Sequence, residues 1–377
     1  MKQIYLDHAA TSPMHPEAAK VFAEALSVHY GNPSSIHQTG RSARRVLDGA
    51  RHLLASSIGA QDPEIIFTSG GTEADNLAIF GTANAKEGRH IITSQAEHHA
   101  VLHACEELEK AGYEVTYLPV DEFGRVNPQD VIQALRDDTI LVTIMLANNE
   151  IGSIQPIAEI GELLKGTGVS FHTDAVQAYG LLPIDVDALN VDLLSVSAHK
   201  VNGPKGIGFL YQRKNTALKP LMFGGEQERK RRAGTENVPA IQSFATAVQI
   251  AQETMDEKRQ SFMEYKEIFR TVFSENAIDF KENGSEQLPH IFNISIPGID
   301  IESFLVNLDL SGVSASSGSA CTAGSIDPSH VLVAMYGQDA PELRNSIRFS
   351  FGIGLTAEEI TQAAEKTVQI TKRLAQK

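Results

Sequence analysis

Cysteine, long apolar runs and basic residues are all scarce in this sequence. Two cysteines in 377 residues cannot form a disulfide framework, so each one is either a core residue or a reactive thiol. No stretch reaches the roughly 18 apolar residues of a membrane-spanning helix. The first residues place Asp7 and His8 where a signal peptide needs apolar side chains. These absences predict a cytoplasmic protein with no membrane segment.

The balance of charge argues against direct binding of nucleic acid. Lysine and arginine number 32 against 47 aspartates and glutamates, which gives a formal net charge of −15. Affinity for phosphate backbones and anionic membranes comes from clustered basic residues, so any role in RNA chemistry would run through a partner protein. The hydrophobic fraction of 42% is that of an ordinary globular protein, and the length allows one large domain with a smaller companion.

Short apolar segments that end in turn or polar residues recur through the first two thirds of the chain, and they are typical of buried strands. Helical segments lie between several of them, such as 72–85 and 99–111. This alternation predicts a mainly parallel sheet with helices on both faces, in which ligands bind beyond the carboxyl ends of the strands. The predicted strands are EIIFTSGG, HIITSQAE, YEVTYLPVD, TILVTIMLANNE, VSFHTDAVQ, DLLSVSAHK and GIGFLYQR.

The last third of the chain has a different pattern. Apolar residues at helical spacing from about Asn237, followed by a charged continuation through Lys266, predict one long connecting helix. The shorter strands HIFNISI and NSIRFSF follow, and then a final helix over 357–374 with Thr356 as its N-cap. These elements predict a smaller α+β domain, against which the N-terminal dozen residues would pack.

The segment FTSGGTEADN, residues 67–76, joins a strand to a helix that begins at Thr72. The free N–H groups and the positive dipole end of a helix start favour a phosphate group. No Gly-Lys-Ser/Thr follows, so the segment does not match the phosphate loop of a nucleotide-binding protein. An ordinary capped helix start is the competing interpretation.

Two polar residues at predicted strand ends indicate a pyridoxal phosphate site. Asp174 follows a buried strand, with Gln177 three residues later, and Lys200 ends the segment SVSAHK. This cofactor needs a lysine for its Schiff base, a carboxylate that keeps its ring nitrogen protonated, and a helix start for its phosphate. Lys205, inside a Pro-Lys-Gly turn, is better interpreted as a turn residue. A helix cap for Asp174 and a structural role for Lys200 remain open alternatives.

The first cysteine lies in a helical segment rich in histidine. Cys105 belongs to a row of apolar residues at helical spacing, which predicts a buried core thiol. His99 and His103 are four residues apart, but the glutamate of a zinc-protease motif is missing, so no metal site is predicted. His98 precedes the helix, and its imidazole could stack on a cofactor ring and transfer protons.

The second cysteine has the opposite surroundings. Cys321 lies in SGVSASSGSACTAGS, residues 311–325, where small and polar side chains predict a mobile loop and an accessible thiol. A flexible linker has the same composition, but it has no use for an exposed thiol. A nucleophilic role for Cys321 is therefore the favoured hypothesis.

Two groups of basic residues have different explanations. Arg348 lies within the apolar segment NSIRFSF, so it needs an anion, either a substrate carboxylate or a partner in a structural ion pair. The run from Arg229 to Arg232 is expected to be a solvated charged surface.

Six motifs, SGGTEADN, ANNEIG, HTDAVQ, SAHKVNGPKGIG, RRAGTEN and SSGSACTAG, resemble those of the cysteine desulfurases. These enzymes belong to the class V aminotransferase group of fold type I pyridoxal phosphate enzymes, and SSGSACTAG resembles their group I branch. The similarity runs over essentially the whole chain. It implies a large domain over 13–257 with a mainly parallel seven-stranded sheet. A smaller α+β domain, formed by 1–12 and 258–377, would carry the mobile loop with the catalytic cysteine.

The resemblance also implies a role for each matching residue. Lys200 would be the Schiff-base lysine, Asp174 the partner of the ring nitrogen and Cys321 the carrier of a persulfide. The other implied assignments are Gln177 to the ring oxygen, His98 to the ring face as a further catalytic residue, Gly71, Thr72, Ser197 and His199 to the phosphate, Thr235 to the phosphate across a homodimer interface, and Asn149 and Arg348 to the substrate carboxylate. No metal is implied.

The implied reaction takes sulfur from L-cysteine and leaves L-alanine and a protein persulfide. The acceptor would be a protein such as a tRNA thiouridylase or an iron–sulfur scaffold. A selenocysteine lyase, another class V aminotransferase and a non-catalytic cofactor-binding scaffold are the alternatives. Val201, Asn202, Glu226, Lys230 and Arg231 depart from the family pattern, and the last three concern the loop expected at the dimer interface.

Overall fold

The structure, a computed structural model, describes residues 3–285, 287–318, 321–322, 325–326 and 328–375. The strands in chain order are β1 (Ile4–Tyr5), β2 (Ile65–Thr68), β3 (His90–Ser94), β4 (Glu114–Leu118), β5 (Thr139–Thr143), β6 (Ser170–Asp174), β7 (Leu193–Ser197), β8 (Gly208–Gln212), β9 (Lys281–Glu282), β10 (Ile291–Ser295), β11 (Val313–Ser314), β12 (Cys321–Thr322), β13 (Ser325–Ile326) and β14 (Ser346–Ser350). The α-helices are α1 (Pro16–Val28), α2 (Gln38–Ser56), α3 (Gly71–Ala85), α4 (His99–Lys110), α5 (Pro128–Ala134), α6 (Ile157–Leu164), α7 (Val238–Glu253), α8 (Met255–Glu275), α9 (Ile301–Leu310), α10 (His330–Tyr336), α11 (Glu342–Asn345) and α12 (Ala357–Ala375).

A seven-stranded sheet forms the centre of the fold, in the order β2-β8-β7-β6-β5-β3-β4. All seven strands predicted from the sequence are present. Pairing is parallel from β7 through β4, and β8 pairs antiparallel with both of its neighbours. The predicted, mainly parallel seven-stranded sheet is confirmed.

The apolar character of the strands explains why this sheet lies inside the molecule. Strands β3, β5, β6 and β7 are buried at every residue, as expected when helices cover both faces. The edge strand β4 is partly exposed. Parallel pairing puts the carboxyl ends of β5, β6 and β7 at one edge, and there Asp174 lies beside Ser195 in the register.

Smaller sheets and helices surround a second apolar cluster. Strands β14, β10 and β9 pair antiparallel, and β1 pairs parallel with β11. Helices α8, α9 and α12 contribute apolar residues to this cluster, in which Phe269, Phe292 and Phe349 pack ring against ring. A fully buried phenyl ring contributes about 1.5–3 kcal/mol through loss of contact with water. No helix in the part of the chain that the structure describes is long and apolar enough to cross a membrane.

The prediction of one long connecting helix is wrong. Helix α7 ends at Glu253 and α8 begins at Met255, with the backbone of Thr254 outside helical geometry. The Thr254 hydroxyl donates to the carbonyl of Ile250 at 2.7 Å, a side-chain bond that is known to bend helices. The expected N-cap of the last helix is present, since the backbone N–H of Glu359 donates to the Thr356 hydroxyl oxygen at 3.3 Å.

Candidate active site

A cavity of about 500 Å³ opens at the carboxyl edge of the large sheet. This volume is within the range of small-molecule sites, roughly 300–1,000 Å³. Ten of the twelve residues predicted for the site line it, and the other two are Cys321 and Thr235. The ten are Gly71, Thr72, His98, Asn149, Asp174, Gln177, Ser197, His199, Lys200 and Arg348.

Lys200 ends a short turn that follows β7, and its amino group points back across the sheet edge to the N-terminal segment. The ammonium donates to the carbonyl oxygens of Ala9 and Ala10, the latter at 2.8 Å. Burial, followed by the positive charge of Arg348, lowers the pKa of Lys200 to about 8. Lys205 is exposed and does not line the cavity. Of the two lysines in this segment, only Lys200 is placed for chemistry.

Asp174 is the last residue of β6 and is only 5% exposed. One of its carboxylate oxygens accepts the backbone N–H of Val176 at 2.8 Å. Burial raises the pKa of Asp174 to about 6, against the opposing effects of that hydrogen bond and of Lys200. The alternative role of Asp174 as a cap is therefore partly correct, because its side chain stabilises the turn after β6. It also lines the cavity.

Asp75 is a site residue that the sequence reasoning missed. It lies in α3, is 1% exposed and lines the same cavity. A ring nitrogen of His98 and one carboxylate oxygen each of Asp75 and Asp174 all lie within 4.8 Å of one another. The sequence feature that could have indicated Asp75 is its position in TEADN. It lies one helical turn after the Ser-Gly-Gly turn, which predicts the phosphate-binding start of α3.

The amino end of α3 forms one wall of the cavity. Gly71 begins the helix, and the first N–H groups of a helix have no carbonyl partner within it. A side chain could not replace this glycine, since a Cβ would lie 2.8 Å from a methyl carbon of Val176. Ser197 and His199 approach from the end of β7, and Nδ1 of His199 lies 3.1 Å from the Thr11 hydroxyl. Backbone and side-chain donors therefore converge on one anion-sized position.

His98 caps the amino end of α4, where its Nδ1 accepts the backbone N–H of Ala100 at 3.1 Å. Loss of contact with water at the cavity wall, and then the charge of Lys200, lower the pKa of His98 to about 4. The imidazole is thus neutral near pH 7. The rings of His99 and His103 stack with 4.9 Å between centroids. Cys105, on the same helix, is fully buried, as predicted.

Arg348 lies in the middle of β14 and is 3% exposed. Its guanidinium donates to the carbonyl of Asn149 and to the carboxylate of Asp7, both at 2.8 Å. The structural ion pair that the sequence left open is therefore present. Within the described residues the Nε–H has no hydrogen-bond partner, and the side chain lines the cavity. One donor of Arg348 is still available to a carboxylate.

The two remaining predicted residues are not among those that the structure describes in the cavity lining. Cys321 is in strand β12, which pairs antiparallel with β13, and its side chain lies outside the described residues. Thr235 is exposed and does not line the cavity of its own chain.

The expectation of a solvated surface for the run from Arg229 to Arg232 is wrong for two of its members. Arg231 donates to the carbonyl of Pro63 at 2.8 Å, and Arg232 forms an ion pair with Glu73 at 2.8 Å. A backbone carbonyl and an acidic helix start hold these two side chains against the protein.

Comparison with known proteins gives consistent results over the full chain. The family model for aminotransferase class-V matches residues 4–362. A putative cysteine desulfurase IscS 1 of Bacillus subtilis is 57% identical over 99% of this chain and 100% of its own. The cysteine desulfurase IscS of Dictyoglomus turgidum is 48% identical over 99% and 95%. A solved NifS-like protein superposes with a TM-score of 0.91 at 33% identity, covering 98% of this chain and 100% of its own. This likeness confirms the predicted fold.

Proposed function

The chain belongs to the aminotransferase class-V family and is a cysteine desulfurase, and from this premise we propose how its cavity carries out the reaction. The observation that carries the proposal is the meeting of Lys200 and Asp174 at one edge of the sheet, opposite the start of α3. These three features match the aldehyde, the ring nitrogen and the phosphate of pyridoxal 5′-phosphate.

The residues present fit this cofactor on independent grounds. The carboxylate of Asp174 is nearly buried, and no ion pair among the described residues joins it to an arginine or a lysine. It can therefore accept a hydrogen bond from the protonated ring nitrogen of the cofactor. Lys200 has a lowered pKa, which favours the neutral amine that condenses with an aldehyde. When bound, the cofactor supplies an electron sink for the substrate carbon. Its predicted contacts are Lys200, Asp174, Gln177, His98, Gly71, Thr72, Ser197 and His199.

Lys200 has a second role as the base that takes the proton from the substrate Cα. A general base works best with a pKa near the working pH, and burial gives Lys200 a pKa of about 8. Once protonated, its ammonium has acceptors at hand in the carbonyls of Ala9 and Ala10. The neutral His98 then completes the lining on the ring side.

The substrate carboxylate would bind at Arg348 and Asn149. Arg348 is always charged, is buried in β14 and keeps an unpaired Nε–H at the cavity. The Asn149 carbonyl fixes one guanidinium nitrogen, so the remaining donors have a defined direction. Loss of a charge-assisted hydrogen bond at this site costs about 1.5–3 kcal/mol.

Cys321 would receive the sulfur. Its thiolate attacks the sulfur of bound cysteine, so that an S–S bond forms while the C–S bond breaks. The electron pair of the C–S bond stays with the carbon fragment, which takes up a proton and leaves as alanine. One cysteine and one thiol thus become alanine and a persulfide, without an external oxidant.

The acceptor of the persulfide would be a protein that serves tRNA thiolation, iron–sulfur assembly or both, in the cytoplasm. A net charge of −15 favours a protein acceptor over direct contact with RNA. A selenocysteine lyase would release selenium without using Cys321, and an aminotransferase would need a keto acid. Supplying selenocysteine or a keto acid to the enzyme separates these alternatives.

A homodimer is part of the proposal. Tyr30, Ile36 and Phe223 are 74%, 89% and 86% exposed, which is unusual for large apolar side chains. A second copy would cover them and would bring its Thr235 to the phosphate.

We also propose the division into a large domain, 13–257, and a small domain, 1–12 with 258–377. The two large apolar clusters support that division.

The test is peptide mass analysis after exposure of the purified protein to L-cysteine without reductant. We expect one extra sulfur atom on the peptide that contains Cys321 and none on the peptide with Cys105. Burial raises the pKa of Cys105, so it is the internal control for an unreactive thiol. Alanine formation without sulfur on Cys321 would favour a lyase, and no alanine at all would favour a non-catalytic scaffold.

A further inference from the structure

Asp75 is a buried carboxyl group that none of these roles uses. It is 1% exposed, and its Oδ1 has no hydrogen-bond partner within the described part of the chain. The cavity places it within 4.8 Å of Asp174, counted between carboxylate oxygens, and His98 lies in the same group. Two carboxyl groups so close together in a nearly water-free position cannot both be ionised without a large cost.

The contacts of the two carboxyl groups decide which one holds the proton. Asp174 accepts a backbone N–H and is attracted by the charge of Lys200. Asp75 has no such cation, and apart from a hydrogen bond from Ser195 its neighbours are the acidic groups Asp174 and Glu97, of which Asp174 has the larger effect. Burial, followed by repulsion from Asp174, raises the pKa of Asp75 well above its ordinary value. The proton therefore belongs to Asp75, and the negative charge to Asp174.

The remaining titratable neighbours do not change this assignment. His172 Nε2 lies 3.6 Å from the Asp75 carboxylate, but its ring is held between the hydroxyls of Thr143 and Ser195. Burial lowers the pKa of His172 to about 3, so it is a neutral neighbour. His98 is neutral as well, and burial raises the pKa of Glu97 to about 8. No group that faces Asp75 from α3, β6, β7 or the start of α4 supplies a positive charge to its carboxyl.

We propose that Asp75 is a positioning residue that remains a neutral carboxylic acid beside Asp174 in the cavity and keeps the one negative charge of the pair on Asp174. This inference rests on the proposed function, because the ring nitrogen is what Asp174 would hold. A single anion opposite that nitrogen keeps the ring protonated. A neutral neighbour within 4.8 Å adds no second charge and fills the buried space beside the Asp174 carboxylate, which limits how far that carboxylate can turn away.

Two substitutions separate charge from shape. Asp75→Asn keeps the size and a donor without any charge, so we expect an absorbance spectrum of the bound cofactor, and a midpoint pH of that spectrum, like those of the wild type. Asp75→Ala empties the space beside Asp174, and we expect the cofactor dissociation constant to rise about tenfold. A shift of more than about one pH unit in Asp75→Asn would show that the wild-type group is charged, which overturns the proposal. Wild-type cofactor affinity in Asp75→Ala would also overturn it.

Infrared spectroscopy gives a readout that does not depend on activity. A protonated carboxylic acid has a carbonyl stretch above the amide band, and we expect one such band near pH 7 that disappears in Asp75→Asn. Glu97→Gln identifies any band from Glu97, and Asp174→Asn should leave the Asp75 band in place. If no band depends on Asp75, the proposal fails. If instead the wild type forms no borohydride-reducible bond between Lys200 and the cofactor, it is the proposed function that fails.

Discussion

The contrast between Lys200 and Lys205 shows how position alone gives one of two nearby lysines its chemistry. Lys200 ends a turn at the carboxyl edge of the sheet, where burial and the charge of Arg348 favour the neutral amine. Lys205 is exposed beyond the next turn. Sequence spacing could point to Lys200 because parallel strands deliver their ends to one edge. The same spacing gave no sign of the Asp7 partner of Arg348, which is 341 residues away in the chain.

Replacing Lys200 tests this assignment directly. In Lys200→Ala we expect no Schiff-base absorbance after addition of pyridoxal phosphate and no alanine from L-cysteine, because both the covalent anchor and the Cα base are removed. Absorbance spectroscopy and an alanine assay are the measurements. Lys205→Ala is the matched control and should behave like the wild type. Full turnover in Lys200→Ala would contradict the assignment.

The buried His172 should make the fold sensitive to acid. Its folded-state pKa of about 3 lies below the ordinary value of 6.5, so the unfolded chain binds the proton first as the pH falls. The stability due to this residue is present above pH 6.5 and is lost progressively below it. Between pH 6.5 and 5.0 the loss is about 1.5 kcal/mol.

We expect His172→Asn to be less stable than the wild type but to lose about 1.5 kcal/mol less between those two pH values. Chemical unfolding of the cofactor-free protein at each pH measures the difference. His52, whose side chain is 71% exposed, provides the control substitution His52→Asn. Equal pH dependence in wild type and His172→Asn would show that the folded protein accepts the proton on this ring.

At the scale of elements, the segment from Leu6 to Ser12 links the two apolar clusters to the cavity. Its backbone pairs with Ser350 of β14, its Asp7 holds Arg348, and the carbonyl of Ala9 accepts from Gln177 and Lys200. Arg348 and Lys200 are therefore connected through one short stretch of backbone. His8 fixes that stretch, since its ring is buried against Gly352.

Gly352→Ala should displace this segment. A Cβ there would lie 1.9 Å from the His8 ring, so the ring or the backbone must move. Such overpacking typically costs about 1–3 kcal/mol, and we expect a lower melting temperature and a higher KM for L-cysteine. Gly49→Ala, where a Cβ meets nothing within 4 Å, is the neutral control. His8→Ala should partly rescue Gly352→Ala, and an absence of rescue would show that the clash does not act through His8.

The elements differ in how far the sequence could predict them. The seven strands of the large sheet were predictable because each is a short apolar run between turn residues, and burial on both faces requires that composition. The break at Thr254 was not, since the helical pattern runs on through this position with no glycine or proline to mark an end. The buried pair of Asp75 and Asp174 also could not be predicted, because their approach depends on how α3 packs against β6.

At the scale of the whole molecule, the proposed dimer would complete the phosphate site of each chain. Thr235 matches a family residue that binds the phosphate, yet it is exposed and absent from the lining of its own cavity. The exposed Tyr30, Ile36 and Phe223 offer apolar area for a second copy. If a dimer forms through them, each cavity receives Thr235 from the other chain, and the cofactor stabilises the dimer by mass action.

Mixed dimers can establish which chain supplies Thr235. We expect Thr235→Ala alone to weaken cofactor binding about tenfold or more, because a hydrogen bond to a charged group is lost. Consider a purified dimer of one Thr235→Ala chain and one Lys200→Ala chain. If each site takes its Thr235 from the other chain, the site of the Thr235→Ala chain has both residues intact. That site should show wild-type affinity, read from the Schiff-base absorbance that only a Lys200 chain gives. If Thr235 served its own chain, no site in the mixed dimer would have both residues, and the affinity would stay weak.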